Sequence, residues 1–275
     1  MTVLVDTPTW LFCPADRPDR YGRAIDTAGV AIIDLEDAVP QTSKSRARDA
    51  LVAAMPSLDP SRVIVRINPP STPEGAADLT VLRETGLRTV MLPMVCSEEQ
   101  VTDLEDLEVV ALCETASGIL AAPKIARADN CVAITWGVED LALDLSSEPR
   151  DESGQFHAAT SFARSAVRYA AAAADIPAYD TIWTDLLELR GLASESRDAS
   201  AQGYAGKLVI HPRQVAPVSE AFRPTEAQVE RAQQVIDATA QAAEGVVAIE
   251  GKVVDRPVIE RSRRVIERAR QFNDC

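Results

Sequence analysis

Residues 30–37 read Val-Ala-Ile-Ile-Asp-Leu-Glu-Asp (VAIIDLED). The run from Val30 to Leu35 is apolar and rich in β-branched residues but for Asp34, is too short for a helix, and gives way to the acids Glu36 and Asp37. That is the pattern of a strand buried on both faces, as in a parallel sheet. The same pattern recurs at Trp10–Cys13, Val63–Ile67, Thr89–Leu92, Val109–Cys113, Val132–Trp136, Ala178–Trp183 and Lys207–Ile210. Amphipathic segments separate these runs: Arg17–Ala28, Ser43–Ala54, Glu74–Thr85, Ser97–Leu104, Ser117–Ala128, Thr160–Ala174 and Thr184–Gln202. Eight strands with helices between them predict an α/β fold, a single (β/α)8 TIM barrel. A doubly wound sheet is the alternative. It is disfavoured because no GxGxxG or GxxxxGK[ST] loop follows any strand.

The pattern breaks at Ser146–Gly154 (SSEPRDESG), which reads as a surface loop. Beyond residue 223 the chain continues with a long helix, Pro224–Gln241, and a small hairpin over Gly245–Val254 with Glu250–Gly251 at its turn. A last helix is opened by Asp255-Arg256-Pro257, with Asp as N-cap and Pro in the first turn. The organisation expected is a barrel over residues 1–223 and a C-terminal helical and hairpin extension over 224–275.

The 275 residues carry 42 acids against 28 bases, a net charge of −14. No basic block interrupts this excess, so nucleic acid is not the expected partner. No apolar run approaches a membrane span, and MTVLVDTPTW lacks a basic leader region, so a cytoplasmic setting is expected. The five cysteines are widely spaced and form no CxxC, which suggests reduced thiols rather than a zinc site or disulfides. With only His157 and His211 available, any metal must be held by oxygen. Such a set suits a hard cation such as Mg²⁺.

Catalytic groups of a barrel sit at the C-terminal ends of its strands. Those ends read Asp34-Leu35-Glu36-Asp37, Arg66-Ile67-Asn68, Glu114-Thr115, Gly137-Val138-Glu139-Asp140 and His211-Pro212. They would bring several carboxylates and one arginine to one mouth. Each acid alone has an ordinary explanation as a turn or cap residue. Glu114 is the sharpest case, because it directly follows a fully apolar run. By type, Glu139 is as good a ligand as Asp140. Lys44, Arg46 and Arg48 follow the second strand and are candidates for gripping ligand phosphates; a solvated helix face is the alternative. His211 either shapes the substrate mouth or bonds locally in a turn. Lys207 reads as a surface or barrel-bottom residue, and His157 falls in the polar loop with no assigned role.

Eight stretches in order carry a resemblance: LFCPAD (11–16), IIDLEDAV (32–39) with Lys44 and Arg48 after it, VRIN (65–68), MLP (91–93), CETASG (113–118), WGVEDLALDL (136–145), VIHPRQ (209–214) and GKVVDRP (251–257). Together they resemble the citrate lyase beta-subunit-like proteins of the HpcH/HpaI aldolase superfamily. The resemblance implies a TIM barrel acting on a CoA thioester of a 3-hydroxy acid with a second carboxylate. It implies Mg²⁺ held by Glu114 and Asp140, and substrate contact by Arg66. Glu36 and Asp37 would bond around the metal's water shell. Asp255 would enter a neighbouring subunit's site, in a homo-oligomer that is commonly a trimer. Two departures stand out: Met94 where many members have lysine, and Ser146 where many have a nearby glycine.

The expected activity is Mg²⁺-dependent cleavage of a malyl-, citramalyl- or citryl-CoA type thioester to acetyl-CoA and a 2-oxo acid. Thioester hydrolysis on the same site, a citrate lyase subunit using an acyl-carrier protein, and a binding protein without turnover are the alternatives.

Overall fold

The computed structural model describes residues 6–241, 247–249 and 252–274. Eight parallel strands close into a barrel in chain order: β1 (Thr9–Pro14), β2 (Val30–Asp34), β3 (Val63–Arg66), β4 (Thr89–Leu92), β5 (Glu108–Cys113), β6 (Cys131–Trp136), β7 (Ala178–Asp180) and β8 (Gly206–Val209). The helices between them are α1 (Tyr21–Ala28), α2 (Lys44–Ala54), α3 (Pro73–Thr85), α4 (Glu98–Thr102), α5 (Ala116–Ile125), α6 (Val138–Asp144), α7 (Ala158–Ala174) and α8 (Leu189–Gln202). After β8 comes α9 (Val215–Phe222). The (β/α)8 barrel expected from the alternation is the fold observed.

Closure follows from strand composition. Inward residues from successive strands, among them Trp10, Ile32, Ile64, Met91, Leu112 and Leu208, form one buried cluster. Trp10 stacks on Tyr179 with ring centroids 3.5 Å apart. The alternate residues face the helices, so the strands are apolar on both sides.

Two predicted elements are shorter than their apolar runs. β7 ends at Asp180 rather than Trp183, because the Thr181 hydroxyl turns to accept from Val138 N (3.0 Å). The helix expected from Thr184 begins at Leu189. Asp185 Oδ1 accepts from Leu187 N and Glu188 N in a turn, and the Glu188 side chain then caps Arg190 N and Gly191 N.

Ser146–Gly154 is irregular, as expected. It follows a defined stop: Ser146 N bonds Leu143 O and Ser147 N bonds Ala142 O, a Schellman end to α6. Ser146 takes φ 51°, the left-handed region that favours glycine.

Lys207 is not a surface residue. It is fully buried and lies between barrel and helices. Its Nζ bonds Asp180 Oδ2 (3.3 Å) and Glu195 Oε1 (2.8 Å). Arg164 pairs with the same Asp180 and with Asp198, and Arg150 pairs with Glu195. Burial opposes charge on Asp180, but Lys207 and Arg164 outweigh it and hold the carboxyl below its usual range.

The chain divides into two compact units, residues 1–221 and 222–275. In the second, α10 (Glu226–Gln241) packs with α11 (Arg256–Asp274). Between them β9 (Val247–Ile249) pairs antiparallel with β10 (Lys252–Val254). The expected hairpin turn at Glu250–Gly251 lies outside the described residues, as does Cys275. Cys13, Cys113 and Cys131 are buried free thiols. Among the described residues no helix is long and apolar enough to cross a membrane.

Removing Asp180 would take the shared buried carboxylate from two buried cations and leave Lys207 with Glu195 and Arg164 with Asp198. Asp180→Ala is expected to lower unfolding stability by about 3–5 kcal/mol, measured by urea denaturation. A loss below about 1 kcal/mol would show that the cluster is not acting as a buried ion network.

Candidate active site

A cavity of about 530 Å³ opens at the C-terminal ends of the strands. Asp34, Asp37, Arg66, Glu114, Glu139 and Asp140 line it, over apolar walls that include Phe12, Leu112, Trp136 and Leu208. Four different strand ends supply these polar groups, the placement expected for a barrel enzyme.

Arg66 is fixed before any ligand arrives. Strand register sets Asp34 opposite Arg66. Arg66 Nε donates to Asp34 Oδ1 (2.8 Å) and Nη2 to Oδ2 (2.6 Å), a two-pronged pair. Nη1 meets Glu36 Oε2 at 3.1 Å, and the guanidinium lies 4.8 Å from the centre of the Phe12 ring. Asp34 also closes the loop after β2, accepting from Glu36 N and Ala38 N. The sequence placed Asp34 among the acids at the barrel mouth, with a turn cap as the alternative; it lines the cavity and is both turn former and arginine anchor. The alternation Val30, Ile32, Asp34 along β2 carries that signal, since it points Asp34 inward.

Glu114 is 4% exposed. Its Oε1 accepts from Met94 N (2.9 Å), and Met94 takes φ 54°. A Cβ on Gly137 would sit 2.5 Å from Glu114 Oε2, so only glycine lets β6 pass this carboxyl. Burial, then the Asp140 and Glu36 charges, push Glu114 up to about 8 despite the Met94 bond. Burial also pushes Glu36 up to about 7, with Asp37, Asp34 and Asp140 adding to the rise and Arg66 opposing it.

The donor set fits a hard divalent cation. Five acids and one arginine line the cavity, and Arg66 is already paired. Among the described residues no three metal-donor side chains converge on one point. The protein would therefore supply few ligands and leave positions to water and substrate oxygens, as Mg²⁺ sites do. Glu114, Glu139 and Asp140 all line the cavity, and the Asp140 charge acts on Glu114.

Several expected site residues lie elsewhere. Lys44 is buried, and its Nζ donates to Leu35 O (2.9 Å), Glu36 O (2.9 Å) and Asn68 Oδ1 (2.7 Å). All three N–H bonds are used, so Lys44 fastens the loop and does not bind substrate. Arg48 is held by Glu74 and Asp78 and so does not read as a grip for CoA phosphate, while Arg46 is exposed with one long bond, to Ser43. Asn68 is likewise internal, donating to Leu35 O and Asp78 Oδ2. His211 caps the turn after β8: its Nδ1 accepts from Arg213 N (3.1 Å), and it is not among the cavity's lining residues. Glu36 holds Arg66, while Asp37 lines the cavity. Asp255, in the second unit, is exposed, and its Oδ1 accepts from Val258 N as an N-cap.

An arginine anchored by a carboxylate, among several acids at the C-terminal mouth of a parallel barrel, makes a carboxylate-rich site where barrel enzymes carry their chemistry. Residues 9–212 match the model of the HpcH/HpaI aldolase/citrate lyase family, and residues 155–273 match that of C–C bond lyases of the TIM-barrel fold. The chain belongs to the HpcH/HpaI aldolase/citrate lyase family. It is 41% identical over 263 residues to a citrate lyase subunit beta-like protein of Mycobacterium tuberculosis, covering 95% of each chain. It is 30% identical over 272 residues to a (3S)-malyl-CoA thioesterase of Cereibacter sphaeroides, covering 94% and 93%. The solved structure of CitE from Mycobacterium tuberculosis in complex with magnesium, acetoacetate and coenzyme A superposes with a TM-score of 0.91. That match has 40% identity and covers 96% and 98% of the two chains.

The raised carboxyls link stability to pH. A carboxyl raised on folding binds its proton more tightly in the folded state. Its contribution is complete below about 4.5, the ordinary value, and is lost as pH rises through about 7 for Glu36 and about 8 for Glu114. Metal-free protein in EDTA should therefore lose on the order of a few kcal/mol from these groups between pH 5 and pH 9. Glu114→Gln should flatten that loss in paired denaturation curves. Identical pH profiles for the two proteins would contradict the burial-driven shift.

Proposed function

We propose that the protein is a Mg²⁺-dependent carbon–carbon lyase. Its substrate is a 3-hydroxy-dicarboxylic acyl-CoA thioester of the citramalyl-, malyl- or citryl-CoA type, and its products are acetyl-CoA and a 2-oxo acid. The observation that carries this is the meeting of Glu114, Asp140 and a pre-anchored Arg66 in one cavity. The Mg²⁺- and CoA-bound relative supports the choice of metal and thioester.

In this reaction the bond between C2 and C3 breaks. The C3 hydroxyl loses its proton and becomes the carbonyl of the 2-oxo acid. The electron pair moves to C2 and onto the thioester oxygen, and a proton delivered to C2 completes acetyl-CoA. Mg²⁺ held by Glu114 and Asp140 would supply Lewis acidity and a template for the oxygens of the 2-oxo acid half. Arg66, locked by Asp34 and Glu36, faces the charge that develops on the thioester oxygen without having to reorient. Glu36 and Asp37 order the water around the site. Asp255, supplied by a neighbouring copy in a homo-oligomer, commonly a trimer, exchanges the proton at C2. The setting is the cytoplasm, where thiols such as Cys13 and Cys113 stay reduced.

A second reading, thioester hydrolysis, is favoured by the relative named as a malyl-CoA thioesterase. A third is service as a citrate lyase beta subunit on an acyl-carrier protein.

The test is mass-spectrometric product analysis with malyl-, citramalyl- and citryl-CoA, in Mg²⁺ and in EDTA. Acetyl-CoA plus a 2-oxo acid, lost in EDTA and in Glu114→Gln, is the expected result. Arg66→Ala should lower kcat by about 10²–10³-fold. Free CoA with an intact hydroxy acid would replace the lyase by a thioesterase. No turnover of any free thioester would move the substrate to a carrier protein.

A further inference from the structure

Glu114 follows β5 directly and Asp140 lies in the first turn of α6. With so few protein donors, affinity for a cation depends on how firmly their spacing is held. Asp144 sits one turn after Asp140 on α6, on the same face. Its Oδ2 accepts from Ala116 N at 2.8 Å. Ala116 is the first residue of α5, two residues after Glu114. The bond therefore ties the helix that carries one acid to the chain leaving the other. Its chemistry is favourable, since a carboxylate meets an N–H that an α-helix leaves without an internal partner, at the positive end of the helix. Thr115 caps the same end through Gly118 N, so Ala116 N is left for Asp144.

We infer that Asp144 is a positioning residue that sets the spacing of Glu114 and Asp140 through the Ala116 amide. The inference rests on the reading of those two acids as the cation site. At its start, α6 is held by the Val138 N bond to Thr181 and by the close pass of Gly137 against Glu114. At its end the Schellman turn releases the chain into the irregular Ser146–Gly154 segment. Leu141 and Ala142 bury the inner face of α6, and the bond from the exposed Asp144 adds a direct link from its end to α5, so loss of that bond lets the Asp140 turn shift relative to Glu114 without unfolding the barrel.

Three variants separate position from charge. Asp144→Ala removes both bond and charge. Asp144→Asn removes the charge but keeps an acceptor of the same length. Ala116→Pro removes the donor and keeps the charge, and proline suits the first position of a helix. Thr115 before it is already extended, with φ −129° and ψ 159°, as a residue before proline must be.

Mn²⁺ binding by electron paramagnetic resonance, with folded fraction checked by circular dichroism, reads the site without turnover. Asp144→Ala and Ala116→Pro should each weaken Mn²⁺ binding about 10-fold, and Asp144→Asn by less than about 3-fold. With substrate, the metal concentration for half activation should rise by the same factors while kcat at saturating metal falls much less. A purely structural role would lower Tm and leave the dissociation constant of the folded protein unchanged. Wild-type affinity in both Asp144→Ala and Ala116→Pro, with binding abolished in Glu114→Gln, would overturn the positioning role alone. Equal weakening in Asp144→Ala and Asp144→Asn, with Ala116→Pro at wild-type affinity, would assign the effect to charge and also overturn it. Wild-type binding by Glu114→Gln would overturn the cation site itself, and the positioning role with it.

Discussion

The pair between Asp34 and Arg66 is the constraint on which the mouth of the barrel is built. It joins neighbouring strands at their last paired residues, so β-sheet register itself brings the two side chains together. One carboxylate does two jobs: it holds the guanidinium in a fixed plane, and it accepts from the amides that turn the chain toward Asp37. The cation that faces the cavity is thereby oriented by the fold rather than by a ligand. That is the condition under which a charged group aids a reaction without having to reorganise.

Two groups of charges in this protein obey opposite rules. Behind the wall, Asp180, Glu195 and Asp198 are matched by Arg150, Arg164 and Lys207, and the cluster holds the outer helices to the barrel. In front of it, the acids outnumber Arg66 and raise one another's affinity for protons. A balanced buried cluster is a structural fastening. An unbalanced one at a cavity needs an outside charge to complete it, which is why a divalent cation fits the second and not the first.

Much of this was legible in the sequence, for identifiable reasons. The strands were, because a run such as VAIID is apolar on both faces only when it is covered on both. The place of Glu114 and Asp140 at the barrel mouth was, because both follow strands there, although Asn68 and His211 also follow strands and do not line the cavity. The roles of the basic residues were not. Lys44 was open to a ligand grip or a solvated face and Lys207 to a surface or barrel-bottom place, and only the folded chain reveals the carbonyls and carboxylates to which they donate. His211 shows the same limit: beside a proline its imidazole was open to two uses, and the local bond to Arg213 N was one of them. Asp144 stood in plain view inside WGVEDLALDL, but its partner, a backbone amide 28 residues away, leaves no mark in the sequence.

Lys44 grips the loop after β2 by the carbonyls of Leu35 and Glu36, not by their side chains. Main-chain oxygens are the same whatever residue carries them. The path of the loop is therefore independent of the chemistry displayed on it, and positions 36 and 37 can change identity while the anchor stays in place. A barrel fastened this way can diversify the reaction at its rim without having to reinvent the rim.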